Sequence, residues 1–438
     1  MAKQTSAEFR ALVTDAMTHF QAGRLSEAES AYRAALAIAP ADPAVTHNLG
    51  VAIAAQGDRR TAIGCFEEAL RADPGFVSAH YNRAVALMRL GETPEAIKAF
   101  GRAAALEPQH YEAHRALGFL WLSQGERGRA LDHLARTCEL RRGDDRTTIA
   151  RKSLTMATRH KLEHDAEQFA YLAERTRDRL RFELLARSYR AIAEQISDEV
   201  TTLSDAQVDS LGDGYNTPIH LRAAPEVTGR AVNERADPAA LTVQFEAHGA
   251  ISVDDLLTPP ALESLRRFLL ESTIWHDFSH IDGFVASYLE DGLACPLVLQ
   301  IADELRQAFP DILGRHPLSQ AWAFKGLQAQ SAVDVHADDA TVSVNFWVTP
   351  TEANLGPEHG GLVVCRAPPP DDWEIKGYDT DQERIVTFLE QKASDSLVVP
   401  YRQNRAVLFR SRLFHHSDHP EFALGYENHR INLTLLYG

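Results

Sequence analysis

GVAIAAQGDRRTAIGCFEEALRADP, residues 50–74, returns 34 positions later as AVALMRLGETPEAIKAFGRAAALEP, residues 84–108. The two stretches agree where packing is tightest. Small residues open both (Gly50, Ala84), and the same step reaches back to Ala16 and on to Gly118. A second small series runs Ala28, Ala62, Ala96, Ala130, and a bulky series runs Tyr32, Phe66, Phe100, Leu134. Turn glycines keep the step at Gly23, Gly57, Gly91 and Gly125, and prolines close three units at Pro40, Pro74 and Pro108. Such a period reads as a stack of antiparallel helix pairs. Small residues lie where helices cross closely, the large one fills the gap to the next unit, and proline stops the second helix because it lacks an amide donor.

Outward from this pair, four units stay in register over residues 9–144. This pattern resembles the tetratricopeptide repeat and defines a repeat domain over 1–144. The fourth unit departs from it, with Arg142 in place of the proline and Thr137 in place of alanine. Residues 145–197 remain helical in pattern and predict two helices capping the array, whose last apolar face needs cover. Such an array has no chemistry of its own. It serves either as a groove for a peptide or protein, or as a spacer or homo-oligomerisation surface.

From about 198 to 240 the periodicity breaks down into turn residues, a linker and entry segment. Beyond it the pattern predicts an apolar strand over 250–257, a helix from Pro259 or Pro260 with Thr258 as N-cap, and a helix from Pro296. After residue 320 the chain reads as strands: AWAFKGLQ (321–328), ATVSVNFWVTP (340–350), GGLVVCRA (360–367), SLVVPY (396–401), RAVLFR (405–410) and RINLTLLY (430–437). Short strands preceded by helices suggest a jelly-roll barrel with helices on one side. The fold expected is therefore multidomain α + β. An all-α solenoid precedes a double-stranded β-helix with flanking helices, over 241–438. Thr341, Ser343 and Asn345 alternate with Val342, Val344 and Phe346, giving one strand a polar face.

His336-Ala337-Asp338 places an imidazole and a carboxylate on one side of an extended chain. His415 follows a later strand, and Arg430 opens the last. Two histidines and one carboxylate on one face of an ion leave three adjacent positions free, the facial triad of non-heme Fe(II) oxygenases. An arginine fork suits the far carboxylate of a diacid. HADDATVSVNFWVTP (336–350), ANLGPEHGGLVV (353–364), YRQNRAVLFRSRLFHHSD (401–418) and HRINLTLLYG (429–438) resemble the 2-oxoglutarate/Fe(II)-dependent dioxygenases, near the prolyl- and aspartyl-hydroxylase-like members.

The resemblance implies an oxidoreductase using Fe(II), 2-oxoglutarate and O2, with His336, Asp338 and His415 as metal ligands and catalytic residues. It also implies Arg430 as the 2-oxoglutarate anchor. The retained Asp338 favours hydroxylation over halogenation. His416 is the alternative to His415 as ligand. Asn345 and Asn432 are candidates to bind the co-substrate, and Tyr288, Trp322 and Lys325 could face the cavity, although ordinary packing suffices for each. His419 and His429 read as loop residues, within an inserted loop (418–429) at the mouth, and Gly360-Gly361 as a strand-entry turn needing unusual φ. The leading expectation is a hydroxylase acting on a peptide or protein side chain held by the repeats. The alternatives are a small-molecule hydroxylase whose repeats oligomerise, or a catalytically silent repeat adaptor.

Composition narrows the partners. In 438 residues the net charge is −16, without a Lys/Arg block, so nucleic-acid binding is not expected. No apolar stretch approaches the ~20 residues that span a bilayer, so no membrane partner is expected. Four scattered cysteines without CxxC spacing, and the start MAKQTSAEFR with no apolar run after a basic one, lead to an expectation of reduced thiols and cytoplasmic residence.

Overall fold

The computed structural model describes residues 2–143, 152–212, 214–279, 283–327, 333–370, 373, 382–391 and 396–438. Two compact units divide the chain, Met1–Leu120 and Trp121–Gly438.

The first unit is a helical repeat array: α1 (Ala2–Gln21), α2 (Leu25–Ile38), α3 (Pro43–Ala55), α4 (Arg59–Ala72), α5 (Val77–Arg89), α6 (Thr93–Leu106) and the start of α7 (Tyr111–Ser123). The small-residue series is explained by contact. A Cβ at Gly50 would stand 2.8 Å from the Phe66 ring, and Ala16, Ala28, Ala62, Ala84 and Ala96 are fully buried. Gly23, Gly57 and Gly91 all have positive φ, the conformation that reverses the chain between paired helices. Asp42 caps α3, accepting from the Ala44 and Val45 amides at 3.0 Å with Pro43 in the first turn.

In the second unit α8 (Arg127–Arg142) is the later helix of the fourth repeat. Its departures from the repeat pattern have uses. The Thr137 hydroxyl donates to the His133 carbonyl one turn back, at 2.8 Å. Arg142 makes a bidentate pair with Asp291, Nε to Oδ1 at 3.3 Å and Nη2 to Oδ2 at 3.1 Å, and both residues are buried. Residues 144–151 of the expected capping segment lie outside the described residues. Beyond them the two expected helices are α9 (Arg159–Ala173) and α10 (Arg179–Ala193), joined through Phe169, Phe182 and Tyr189. Their cover is the sheet-bearing part itself: Gln168 of α9 donates to the Leu270 and Ser272 carbonyls at 3.1 and 2.9 Å.

The entry segment is more ordered than its sequence suggests. It holds α11 (Asp205–Leu211), closed by a Ser204/Gln207 capping box, and strands β1 (Met156–Ala157) and β2 (Thr201–Thr202) pair with each other. Glu304 accepts the Ala231 and Val232 amides at 2.7 and 2.8 Å, fixing the irregular chain. A helix absent from the sequence reading, α12 (Pro238–His248), precedes β3 (Ala250–Val253). The expected helices follow as α13 (Pro259–Glu271) and α14 (Pro296–Ala308). Thr258 occupies the N-cap of α13 without a capping hydrogen bond. Its hydroxyl goes to the Arg230 carbonyl instead, at 3.0 Å.

Six antiparallel strands form the main sheet in the order β3, β9 (Ala406–Arg410), β6 (Val342–Trp347), β11 (Arg430–Tyr437), β5 (Leu318–Gly326) and β4 (Phe284–Tyr288). A smaller sheet runs β10 (His415–Ser417), β7 (Leu362–Cys365), β8 (Ser396–Val399). β4 and β10 are strands the sequence reading did not anticipate. All six residues of β6 are buried, so the main sheet is covered on both faces at its centre. Among the described residues no helix is long and apolar enough to cross a membrane.

Asp291→Ala leaves the Arg142 guanidinium buried beside an apolar methyl. The expected loss is about 3–5 kcal/mol, read in denaturant unfolding of the full chain, and Arg142→Met/Asp291→Leu should recover most of it.

Candidate metal centre

Three side chains converge beside the start of β6 and the start of β10. Ligand atoms of His336, Asp338 and His415 all lie within 4.8 Å of one another, the arrangement of a metal-binding group among the described residues. Backbone pairing makes the meeting. The His336 amide donates to the His415 carbonyl at 3.0 Å, and the His415 amide returns a bond to the His336 carbonyl at 2.8 Å. The Asp338 amide donates to the Ser411 carbonyl at 2.9 Å, so both ends of the HxD segment are tied to the β9–β10 connection.

Each ligand is then aimed by a second contact. His336 Nδ1 meets the Asp334 carbonyl at 2.8 Å, and His415 Nδ1 the Leu413 carbonyl at 3.0 Å. With Nδ1 of each ring engaged as donor, Nε2 is the lone-pair nitrogen facing the shared point. The Ser343 hydroxyl donates to Asp338 Oδ2 at 2.6 Å and is itself 2.9 Å from the Ser411 hydroxyl. Burial, and next the His336 ring, push the His415 imidazole down to about 4, so it stays neutral and able to coordinate. His416 also lines the cavity they share, but its Nδ1 is 2.9 Å from the Ser417 carbonyl and it lies outside the convergent group.

Arg430 enters the same cavity, lined also by Trp322, Phe324, Asn345, Phe409, Asn432 and Thr434. Its side chain is buried, with Nε donating to the Gly360 carbonyl (2.8 Å) and Nη2 to the Gly361 carbonyl (3.1 Å). Nη1 reaches Asn432 Oδ1 at 3.4 Å. No carboxylate pairs with it among the described residues. Burial lowers its pKa to about 10, which still leaves a full positive charge at neutral pH. Asn345 donates from Nδ2 to the Thr434 hydroxyl at 2.8 Å, while its buried Oδ1 has no partner.

The glycine pair has a role beyond its turn. Gly360 has φ +81°, and a Cβ on Gly361 would stand 1.8 Å from the Val399 carbonyl oxygen. The carbonyls that hold Arg430 thus come from positions only glycine can fill. This use, and the Ser411–Ser343 hydroxyl chain that ends on Asp338, escaped the sequence reading. Ser343 was signalled by its alternation, whereas Ser411 carries no local signal.

Of the weaker candidates, Trp322 lines the cavity. Lys325 does not, because it is odd where Trp322 and Phe324 are even along β5, and it points to the opposite face of the sheet, fully buried. Tyr288 donates to Asp277 Oδ2 at 3.1 Å and is not among the cavity-lining residues. His419 lies 6.4 Å from the His359 ring, and His429 Nε2 is 3.1 Å from Glu167 Oε2. The inserted segment 418–429 is pinned by an Asn354–Phe422 bridge and by Tyr426 OH on the Leu270 carbonyl at 2.8 Å.

Family models describe the first part of the chain. A tetratricopeptide-repeat model matches residues 47–105 and 83–145, and a second matches 10–42. Residues 10–42 and 47–145 are tetratricopeptide repeats. No curated protein matches the chain. Among solved structures, MamA is similar at 19% identity with a TM-score of 0.30, covering 43% of this chain and 88% of its own. The first repeat domain of Spaghetti, bound to an HSP90 peptide, is similar at 22% and 0.27, covering 27% and 95%. A Thermobaculum terrenum O-GlcNAc transferase mutant is similar at 26% and 0.29, covering 32% and 28%.

His415 titrates lower when folded than the ~6.5 of an unfolded histidine, so below that pH the unfolded chain binds the extra proton. Stability of the metal-free protein should therefore fall between pH 6.5 and about 4. His415→Gln should flatten that slope in thermal melts across the range.

Proposed function

We propose that the chain is an Fe(II)- and 2-oxoglutarate-dependent oxygenase that hydroxylates a peptide or protein side chain held by its repeat groove. The two antiparallel sheets are then the larger and smaller sheets of a double-stranded β-helix. One observation carries the reading: a two-histidine, one-carboxylate cluster, with Asp338 and His415 buried, shares its cavity with a buried arginine that has no acid partner among the described residues. Leaving such a charge unpaired costs several kcal/mol, so the site calls for a carboxylate from outside the protein.

The donor set suits the ion. Two imidazoles and one carboxylate from one side leave the opposite face open to a chelating co-substrate and to dioxygen. When bound, iron would supply the activation of O2 that lets one oxygen enter the substrate C–H while 2-oxoglutarate becomes succinate and CO2. The protein's own contributions are positional. Ser343, itself held by the Ser411 hydroxyl, fixes the Asp338 carboxylate, and Arg430 offers its fork to the distal carboxylate. Turning the Asn345 amide over would let the Thr434 hydroxyl donate to Oδ1 and present Nδ2 to the co-substrate, satisfying both ends. Trp322, Phe324 and Phe409 keep the cavity dry, which strengthens each of these contacts.

The repeats support the choice of a macromolecular substrate, because stacked helix pairs build an extended concave surface. A silent adaptor would have the same repeats. It would have no use for four such polar side chains gathered around one cavity.

Succinate formation from 2-oxoglutarate in air with Fe(II) tests the assignment. His336→Ala and Asp338→Ala should each lower it at least a hundredfold. Arg430→Ala should chiefly raise the 2-oxoglutarate concentration required. Wild-type rates in both metal-site variants would end the proposal.

A further inference from the structure

Helix α9 lies on the face of the main sheet away from the cavity, and its Glu167 approaches the residue just before Arg430. His429 Nε2 stands 3.1 Å from Glu167 Oε2, with the imidazole buried. On either side of Arg430 the backbone is bracketed by one hydroxyl. Thr349 Oγ1 donates to the His429 carbonyl at 2.7 Å and accepts from the Ile431 amide at 3.0 Å. Downstream, the β11 ladder holds the strand: Arg430 pairs with Gly326 and Ile431 with Lys325. Upstream, Tyr426–Asn428 form a single 3-10 turn held by Tyr426 OH on the Leu270 carbonyl and by Arg266 on the Glu427 carbonyl, and the residue next to Arg430 is held by Thr349 and by the His429 side chain.

Glu167 has a second reason to be there. Lys325 is fully buried, and its amine has no hydrogen-bond partner among the described residues. It sits 3.4 Å from the Tyr426 ring centroid and 5.5 Å from that of Trp275. The acids whose charge it feels are Glu167 and Asp165, and Asp165 already pairs with Lys161. Glu167 is therefore the acid left to balance the amine's charge, and it also stands against the imidazole. Tyr426 completes the group, its ring 5.9 Å from His429.

We infer that Glu167 is a positioning residue for Arg430, acting through His429, so that helix α9 is a working part of the co-substrate site although it never enters the cavity. The inference deepens the reading of Arg430 as the anchor of a dicarboxylate and rests on it. The carboxylate, 3.1 Å from His429 Nε2, restrains the ring through that polar contact. The ring fixes the first residue before β11. Arg430 then leaves the strand at the angle that sets Nε and Nη2 on the Gly360 and Gly361 carbonyls. A glutamine keeps the acceptor, whereas alanine removes it.

The test uses the full chain and two readouts. Glu167→Ala should raise the KM for 2-oxoglutarate about tenfold with kcat within a factor of two, and Glu167→Gln should stay near wild type. His429→Ala should match Glu167→Ala, and the double variant should add nothing further. Independently of any co-substrate, hydrogen exchange at Arg430 Nε–H, assigned by its loss in Arg430→Lys, should be protected in wild type and Glu167→Gln. It should quicken at least tenfold in Glu167→Ala. Equal exchange in wild type and Glu167→Ala, equal impairment of Gln and Ala, or additive effects of 167 and 429 would each overturn the inference. If exchange responds as stated but wild type neither binds nor turns over 2-oxoglutarate, the positioning stands and the co-substrate reading falls.

Discussion

Two backbone hydrogen bonds between His336 and His415 hold the second unit's candidate metal centre together. They form an isolated antiparallel bridge, and the Asp338-to-Ser411 bond extends it by one register step. An HxD segment alone offers an imidazole and a carboxylate on one side of the chain. The bridge adds the second imidazole at a fixed height, with the ring centroids 4.2 Å apart. Because the geometry is set by main chain, the side chains need only one further contact each to be aimed. The surrounding sheet order, with β6 between β9 and β11, places that bridge and Arg430 in one cavity.

Two buried arginines show opposite solutions to the same electrostatic problem. Arg142 meets Asp291 within the protein, and its charge is neutralised on folding. Arg430 receives only carbonyl oxygens and an amide oxygen, which solvate a guanidinium without cancelling its charge. The first is a structural joint. The second leaves a positive charge in the cavity with no carboxylate beside it among the described residues.

The repeats were legible because their constraint is steric and recurs: Gly50 under Phe66, with glycines at positive φ on the same 34-residue step. The strands rich in Val, Phe and Leu were also legible, as were the helices that begin at proline. Shorter elements were not. β10 is three residues, two of them histidine, and exists because β7 pairs with it rather than through any local preference. α12 has apolar residues all round and lies in a segment punctuated by turn residues, which hid its period. In the site, His336, Asp338, His415 and Arg430 could be named from residue type and order along the chain. The partners that orient them could not, since Ser411, Gly360 and Gly361 act through tertiary neighbours. The same limit applies to Lys325, whose side of the sheet only the strand register decides.

The Arg142–Asp291 joint bears on where this protein can be cut. A boundary drawn from repeat periodicity falls near residue 144, just after Arg142, and invites expression of the remainder as a free-standing sheet-bearing fragment. Such a fragment would strand Asp291, a carboxylate 1% exposed, without its bidentate counter-ion. The last helix of the repeat array belongs to both halves of any dissection, and an excised fragment should begin before Arg127 to keep it.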